Sequence, residues 1–435
     1  MDDPGDFESF DRSLGLFQVT ASGVAVIIGA GIFVLMGAAT ERAGGLVWLS
    51  FVIAAVLSAL TAFSYMELSS MFPRASAEHE FTRQVFPRWI AGTVGWIMAV
   101  ALVVATATVA LGFSQYLREF LVIDRRLGAI ALVLVMVFVS YLGMERAAWV
   151  VVGLGAVEVG SLVIVGLSGL GHVGDVDLTS GRLGGVLSGA ALVFFAFIGF
   201  DEVITLSEET RDPARTIPRA LLLALGISTI LYVLVAVSAV SVLGVDALAT
   251  SERPLADAMA DVWGSRVGHW MSAAAIVSTS STVLLVVTAA SRMLYGVAVA
   301  GDLPGRLGIV RHRRVPLNAL LMSAFVACVL ILFNDLSLLA AATDVLVYVT
   351  FLFVNVVTIV LRRTEPNLDR PFRIRGSIGW VPVIPVLGLI VVIVVSGQLE
   401  FQATLLAGAL IALGALVHWG HRFVEYRKVA RAQKS

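Results

Sequence analysis

The chain has little cysteine and few charged residues. Its 435 residues include one cysteine, six histidines and 14% charged residues. Cys328 alone cannot form an intramolecular disulfide, and no His/Cys cluster has the spacing of a metal site, so a disulfide scaffold, redox chemistry, a metal and other cofactors are not expected. A formal net charge of −1 gives no reason to expect a nucleic-acid partner.

Hydrophobic residues are abundant instead. They make up 58% of the chain, with a mean hydropathy of +0.93, against about 45–50% in soluble domains. This composition predicts an all-α polytopic membrane protein surrounded by lipid. A window of about 19 residues predicts twelve hydrophobic segments, near residues 15–40, 46–72, 90–116, 127–143, 147–170, 185–208, 217–243, 268–298, 315–333, 337–361, 379–398 and 402–420.

The distribution of positive charge predicts the topology. Residues 1–4 are acidic and lack a basic region and a cleavage site, so no signal peptide is expected. Most lysines and arginines fall in loops that are internal if the N-terminus is internal, as the positive-inside rule requires. We therefore expect a multi-pass protein of the cell membrane with both termini inside. No long polar linker interrupts residues 1–435, which predicts a single membrane domain.

Two of the hydrophobic segments are interrupted by glycine. Residues 28–33 read Ile-Gly-Ala-Gly-Ile-Phe in the first segment, and residues 194–202 read Phe-Phe-Ala-Phe-Ile-Gly-Phe-Asp-Glu in the sixth. Unwound backbone within a membrane is tolerated only where it faces protein or a water-filled cavity. Breaks at corresponding positions in two halves point to a transporter with inverted repeats and a substrate site between them.

Several motifs resemble those of the amino acid-polyamine-organocation superfamily of transporters. Gly29 to Phe33 resembles its GxGIF signature, and residues 194–213 resemble its sixth helix and the loop that follows. Further similar stretches are 66–75, 278–295 and 362–373. The resemblance covers nearly the whole chain, in the right order.

This resemblance implies a five-plus-five inverted repeat, the leucine-transporter-like fold, with two extra C-terminal helices. Repeat one would cover about residues 15–170 and repeat two about 185–361, with the accessory helices near 379–420.

The breaks provide groups that suit an amino acid zwitterion. Backbone N–H groups at Gly29, Ala30 and Gly31, where a second half-helix would begin, favour a carboxylate. Carbonyl groups can accept from the substrate's ammonium group, and the candidates are those of Val26, Ile27, Phe195, Ala196 and Ile198. The alternative is that the glycines only allow close helix packing.

The substrate side chain is expected to be neutral, small or apolar, because no acidic residue lies in the first break. The resemblance favours Phe195 as a gate that contacts this side chain, although it could also fill a packing position. Asp201 and Glu202 follow the second break by about one turn and could bind a cation or a proton, or stabilise the helix.

Glu158 is an ionisable residue inside the fifth segment, where charge is costly and a functional role is expected by default. Many relatives carry lysine at the position that we align with it, so their mechanism does not transfer directly. Glu158 could load and release a proton, or it could bind Na⁺ together with hydroxyls of the eighth segment. It could also attract an amine substrate or make a purely structural hydrogen bond. The candidate hydroxyls are those of Ser278, Thr279, Ser281 and Thr282.

Other polar residues of the segments are given lesser roles. Glu67 is expected to pair with loop arginines, and Asp344 to lie at the outer interface or pair with a neighbour. Glu208, Glu209 and Arg292 are expected to form a charge network. Glu78 and His79 depart from the glycine-rich pattern that the superfamily shows after Pro73, and their role is open.

The sequence therefore predicts a secondary carrier of amino acids that works by alternating access, driven by protons, by Na⁺ or by exchange. The alternative substrate is an amine, a polyamine or a cationic amino acid. No intramembrane catalytic dyad or metal cluster is visible, so an enzyme is not expected. The particular amino acid, the choice between symport and exchange, and the oligomeric state stay open.

Overall fold

The computed structural model describes residues 14–72, 77–142, 148–206, 210–310 and 315–432. The described chain is almost wholly helical, apart from one short hairpin in which β1 (Ser377–Ile378) pairs with β2 (Val381–Pro382). The helices of the first half are α1 (Leu16–Ile27), α2 (Gly31–Ala43), α3 (Val47–Met71), α4 (Ala77–Arg83), α5 (Arg88–Leu117), α6 (Arg125–Tyr141) and α7 (Ala148–Ser168). Those of the second half are α8 (Leu183–Val193), α9 (Glu202–Thr205), α10 (Pro213–Leu243), α11 (Val245–Thr250), α12 (Pro254–Trp263), α13 (Ser265–Val299), α14 (Leu317–Ile331), α15 (Leu336–Thr364), α16 (Val383–Ser396) and α17 (Phe401–Ala432).

Local sequence explains several helix ends. The carboxylate of Asp124 accepts hydrogen bonds from the first amides of α6, and Asp335 does the same for α15. Pro213 opens α10, where its missing N–H costs no hydrogen bond. Each predicted hydrophobic segment overlaps at least one of these helices.

Length and composition decide which helices can cross a membrane. Among the described residues, seven stretches are long and apolar enough: 31–71, 88–117, 155–172, 213–243, 265–299, 336–364 and 401–420. Shorter apolar helices, including α1, α14 and α16, accompany them. These features fit a polytopic membrane protein, whereas the count of twelve crossings and the repeat remain predictions.

Helix α5 forms the centre of the bundle. The apolar window of α5 is buried along its whole length, and the helix packs against α13 and α15. The broken helices pack on further helices, α1 on α10 and α2 on α8. α16 and α17 lie against α15 and expose large apolar side chains such as Ile393 and Leu416. This arrangement places both breaks beside α5 and α13.

Candidate functional site

The first break lies between the end of α1 at Ile27 and the start of α2 at Gly31. Two of the three amides that were expected to be free have partners here. Gly29 N–H donates to the Ile27 carbonyl at 2.9 Å, and Ala30 N–H donates to the hydroxyl of Thr282 at 3.2 Å. The N–H groups of Gly31 and Ile32, in the first turn of α2, have no acceptor among the described residues. Of the three predicted amides, Gly31 therefore remains available, and the Ile32 amide is available beside it.

The two carbonyl groups that were expected to accept from the substrate at the first break also differ in whether they are available. The Ile27 carbonyl accepts the Tyr232 hydroxyl at 2.7 Å as well as Gly29 N–H, which occupies both of its lone pairs. The Val26 carbonyl loses its helical donor because Ala30 turns to Thr282, and it has no other donor in the described chain. Of the two predicted acceptors, Val26 is the one that remains available.

The second break is longer and follows α8. Phe194–Phe197 form a 3₁₀ turn, Ile198 is extended, and Gly199 has φ +113° before α9 begins at Glu202. The Ala196 carbonyl accepts the same Tyr232 hydroxyl at 2.9 Å. Tyr232 of α10 therefore joins the carbonyl ends of both breaks.

The two breaks touch each other. A Cβ added to Gly31 would lie 2.5 Å from the Cα of Ala196, so these backbones are in direct contact. A Cβ added to Gly199 would lie 3.1 Å from a methyl group of Val26. The glycines therefore do allow close packing between the two breaks. Both breaks also face an open space.

That space is a cavity of about 280 Å³. All eight residues that the sequence predicts to contact substrate line it: Val26, Ile27, Gly29, Ala30, Gly31, Phe195, Ala196 and Ile198. Four predicted coupling residues line it as well: Glu158, Asp201, Ser281 and Thr282. Backbone donors, backbone acceptors and carboxyl groups thus converge on one space.

Glu158 lies on α7 and is 3% exposed. The hydroxyl of Ser281 lies 2.7 Å from its Oε1 and 2.8 Å from the carbonyl of Ser278, and it can donate to either. Ser281 is adjacent on α13 to Thr282, which holds Ala30. The carboxyl group is therefore separated from the first break by two neighbouring hydroxyl residues.

Comparison with known proteins identifies the chain's relatives. The family model described as amino acid permease matches residues 14–416. A branched-chain amino acid permease of Bacillus subtilis is 29% identical over 411 residues, covering 88% of this chain and 87% of the relative. A transporter of Mycobacterium tuberculosis is 30% identical over 432 residues, covering 98% and 95%. A cationic amino acid transporter of Arabidopsis thaliana is 29% identical over 392 residues, covering 83% and 64%.

The chain belongs to the amino acid permease family. Because the family and these relatives are transport proteins, the chain is a multi-pass membrane permease and not an enzyme. The resemblance inferred from the motifs is confirmed.

Three predicted residues of the permease are not placed in the cavity wall. Ser278 and Thr279 are buried on α13, and the Thr279 hydroxyl bonds to the carbonyl of Ala275 at 2.7 Å. Glu202 starts α9, but its side chain lies outside the described residues. The cavity is therefore built from fewer hydroxyls of α13 than the sequence suggests.

Sequence reasoning missed much of the cavity wall. Met98, Leu102, Ala105 and Val109 of α5 line the cavity at a helical spacing of three and four residues. That stripe is a visible signal, although an all-apolar helix offers other stripes of the same kind. Tyr232 gives no sequence signal, because nothing local connects it with either break.

The remaining acidic residues have varied surroundings. Glu67 pairs with Arg362 and with Arg370, whose Nε lies 3.4 Å from its Oε1, as predicted. Asp344 is fully buried on α15, and neither of its oxygens has a hydrogen-bond partner among the described residues, so the expected pairing with a neighbour is not seen as a hydrogen bond. Arg292 lines the cavity and is exposed. Its predicted partners, Glu208 and Glu209, lie outside the described residues.

Proposed function

We propose that the permease is a secondary active carrier of neutral, small or apolar amino acids that works by alternating access. The observation that carries this proposal is that all eight predicted substrate contacts line one cavity, together with Glu158. Transport sites at helix breaks near the middle of the membrane fit this mechanism.

The amino acid's two charges have distinct partners in the proposed site. The carboxylate lies at the start of α2, where the Gly31 and Ile32 amides lack acceptors among the described residues and the helix dipole favours negative charge. The ammonium group donates to the Val26 carbonyl, which has no donor of its own in the described chain. Gly29 and Ala30 form the wall of the cavity beside these two groups. The rest of the backbone wall near the substrate is formed by Ile27, Ala196 and Ile198.

The apolar wall supports a neutral side chain. Phe195, Met98 and Leu102 line the cavity beside the breaks, with Leu285 and Val286 from α13. An apolar side chain gains by leaving water for such surroundings. The Bacillus subtilis relative's name agrees with an apolar substrate. We assign Phe195 as the residue that closes over the side chain.

Coupling to protons is proposed at Glu158. As a carboxylate it accepts from Ser281, and as a carboxylic acid it donates to Ser281, whose proton then turns to the Ser278 carbonyl. Because the Thr282 hydroxyl donates to the same Ser278 carbonyl and accepts Ala30 N–H, this reversal reaches the first break. A supporting role in gating is proposed for Asp201, Glu202 and Thr279. The alternative to proton coupling is exchange of amino acids without proton movement.

The proposed architecture has twelve crossings, two inverted repeats of five and two accessory helices within one domain. With both termini inside, α4 and the exposed Arg292 face the cytoplasm. The cavity of this structure then opens toward the cytoplasm from the site at the breaks.

A cationic amino acid, amine or polyamine is the second candidate substrate. Among the described residues, the cavity is lined by three acidic residues, Glu78, Glu158 and Asp201, and by one arginine, Arg292. The name of the Arabidopsis thaliana relative points to the same class.

Thermal stabilisation of the purified permease separates these substrates. A ligand that binds only the folded state raises the melting temperature, so neutral amino acids, cationic amino acids, decarboxylated amines and polyamines are compared at pH 5.5 and 7.5. Stabilisation by neutral amino acids but not by their amines is expected. Stabilisation by amines without a carboxylate contradicts the site at Gly31, and stabilisation by cationic amino acids alone favours the second candidate.

Uptake into proteoliposomes tests the coupling. An imposed pH gradient should drive accumulation in the wild type, whereas Glu158→Gln should lose this accumulation and retain exchange. Unchanged accumulation by Glu158→Gln would make Glu158 a structural residue. Glu80→Gln, which changes a carboxylate that is not part of the cavity wall, is the matched control.

A further inference from the structure

Two consecutive residues of α4 make contacts on different sides of the helix. Glu78 lines the cavity, is 2% exposed and accepts the hydroxyl of Tyr65 at 2.9 Å. His79 points away from the cavity, and its Nε2 lies 3.0 Å from Oδ2 of Asp302, in the turn after α13. The placement of Glu78 therefore depends on what holds His79.

Asp302 gathers two basic side chains from different elements. Its Oδ1 accepts Arg88 Nε, at the start of α5, at 3.0 Å, while its Oδ2 meets His79. Arg88 also donates to the Ala300 carbonyl. We call His79, Arg88 and Asp302 the Asp302 clamp. Both His79 and Asp302 are buried, so the clamp fixes α4 to the end of α13 away from most water.

The surrounding backbone makes room for this clamp. A Cβ on Gly92 would lie 3.0 Å from the Cβ of Asp302, and one on Gly95 would lie 3.1 Å from the Cβ of His79. On the far side, Nδ1 of His418 in α17 lies 3.0 Å from the Asp302 backbone carbonyl. Helices α4 and α5 thus meet at the carboxylate of Asp302, and α17 meets its backbone carbonyl.

We propose that the Asp302 clamp positions Glu78 so that its carboxylate binds the ammonium group of the amino acid at the open end of the cavity. Glu78 is then a second contact for the solute, and His79 and Asp302 are positioning residues that act through it. This inference rests on the proposed transport of amino acids.

The length of α13 separates the exposed end of the cavity from the first break. Thr282 touches the first break, and Arg292, ten residues later on α13, marks the exposed end. A helix rises about 1.5 Å per residue, so the cavity extends about 15 Å along α13. Glu78 belongs to the exposed end because the adjacent His79 is bound to Asp302, which follows the end of α13 at Val299. One amino acid is too short to reach both this end and the first break, so Glu78 acts on a solute that enters or leaves.

Asp302 keeps its negative charge between pH 5.5 and pH 7.5. Burial opposes its ionisation, but the hydrogen bond with His79 and the Arg88 guanidinium outweigh burial and hold the pKa of Asp302 below its ordinary value. A lowered carboxyl pKa stabilises the fold above the group's ordinary titration range, and this stabilisation is lost only as pH falls through the lowered value. The acceptor for His79 is therefore ionised at both pH 5.5 and pH 7.5.

Uptake kinetics in proteoliposomes test the proposal with four variants. Glu78→Gln removes the cavity carboxylate, and KM should rise about tenfold, since a hydrogen bond to a charged group is lost. His79→Ala and Asp302→Asn should raise KM to a similar extent, with Vmax and melting temperature less affected. His79→Gln retains a donor for Asp302 and should recover most of the wild-type KM. As a control, Glu80→Gln makes the same chemical change on the same helix, away from the cavity, and should leave KM unaltered.

The outcomes separate the inference from the proposed function. Absence of amino acid uptake by the wild type defeats the proposed function itself. Wild-type uptake with an unchanged KM in Glu78→Gln overturns the inference alone. A lower melting temperature and Vmax in His79→Ala, with unchanged KM, would reduce the clamp to a structural contact and also overturn it.

Cysteine labelling provides an independent test. In a Cys328→Ala background, which removes the native thiol, Glu78→Cys should react with a water-soluble methanethiosulfonate. Substrate amino acid should slow this reaction if the solute passes beside the residue. Labelling at the same rate with and without a transported amino acid would contradict the proposed contact.

Discussion

The two helix breaks meet in one cavity but depend on glycine for different reasons. In the first break, Gly29 and Gly31 have ordinary φ values, and what they provide is space, because other atoms lie where a side chain would be. In the second, Gly199 provides a backbone conformation, φ +113°, that other residues rarely adopt. The same residue type therefore predicts a break in both places without predicting what the break requires.

The breaks also differ in length and in what holds them. The first spans three residues and is held by a hydrogen bond from Ala30 to Thr282 of α13. The second spans residues 194–201, and its Ala196 carbonyl is held by Tyr232 of α10, which also holds Ile27. Removing the space, the conformation or the Thr282 hydroxyl should therefore affect the two breaks unequally, whereas removing the Tyr232 hydroxyl should affect both.

Filling the space at Gly31 should have the largest effect. In Gly31→Ala the new Cβ would lie 2.5 Å from the Cα of Ala196, and backbone there cannot rotate away. Overpacking of this kind costs about 3 kcal/mol or more of unfolding free energy, so a strongly lowered melting temperature and loss of uptake are expected. Gly160→Ala, on α7 with open space around it, is the control, and a wild-type melting temperature for Gly31→Ala would show that the breaks are not in contact.

Changing the conformation at Gly199 should have the next largest effect. Gly199→Ala forces a residue with a Cβ to keep a positive φ, which costs about 1–3 kcal/mol, and it adds a close contact with Val26. Uptake should fall with the melting temperature, as followed by differential scanning fluorimetry and transport. If Gly199→Ala behaved like Gly160→Ala, the contrast between space and conformation would be lost.

Removing the Tyr232 hydroxyl should loosen both breaks together. Tyr232→Phe keeps the ring packed on Phe197 and deletes the donor to the Ile27 and Ala196 carbonyls. The expected loss is about 1–2 kcal/mol, with faster hydrogen exchange in peptides covering both breaks. Faster exchange at one break only would mean that the other is held independently.

Removing the Thr282 hydroxyl should affect the first break alone. Thr282→Val leaves Ala30 N–H without its acceptor, at a cost of about 1 kcal/mol, while Thr282→Ser retains the hydroxyl and should behave like the wild type. Hydrogen exchange should rise around residues 28–33 and stay constant around 194–201. Equal changes in both regions would show that the breaks move as one unit.

The positions of the breaks could be predicted because their signals are local. Glycine within an apolar run is visible at Gly29, Gly31 and Gly199, and an ionisable residue in such a run is visible at Glu158. All four of these residues line the cavity.

The partners of those residues could not be predicted, because they come from distant parts of the chain. Thr282 bonds to an amide 252 residues away, and Tyr232 reaches a carbonyl 205 residues away. The prediction that the Gly29 and Ala30 amides are free was wrong because a local sequence pattern does not show which acceptors the folded chain brings to them. Asp344, which has no hydrogen-bond partner among the described residues, is a further case, because its burial depends on the whole bundle.

The hydroxyl of Tyr232 carries one proton but serves two carbonyl groups. When Ile27 withdraws, the proton can turn fully toward Ala196, and the reverse is equally possible. Separating either break from Tyr232 is therefore compensated in part by a stronger bond to the other, so the shared proton lowers the resistance to relative sliding. The Tyr232 hydroxyl can therefore stay bonded to one break while the other break moves away from it.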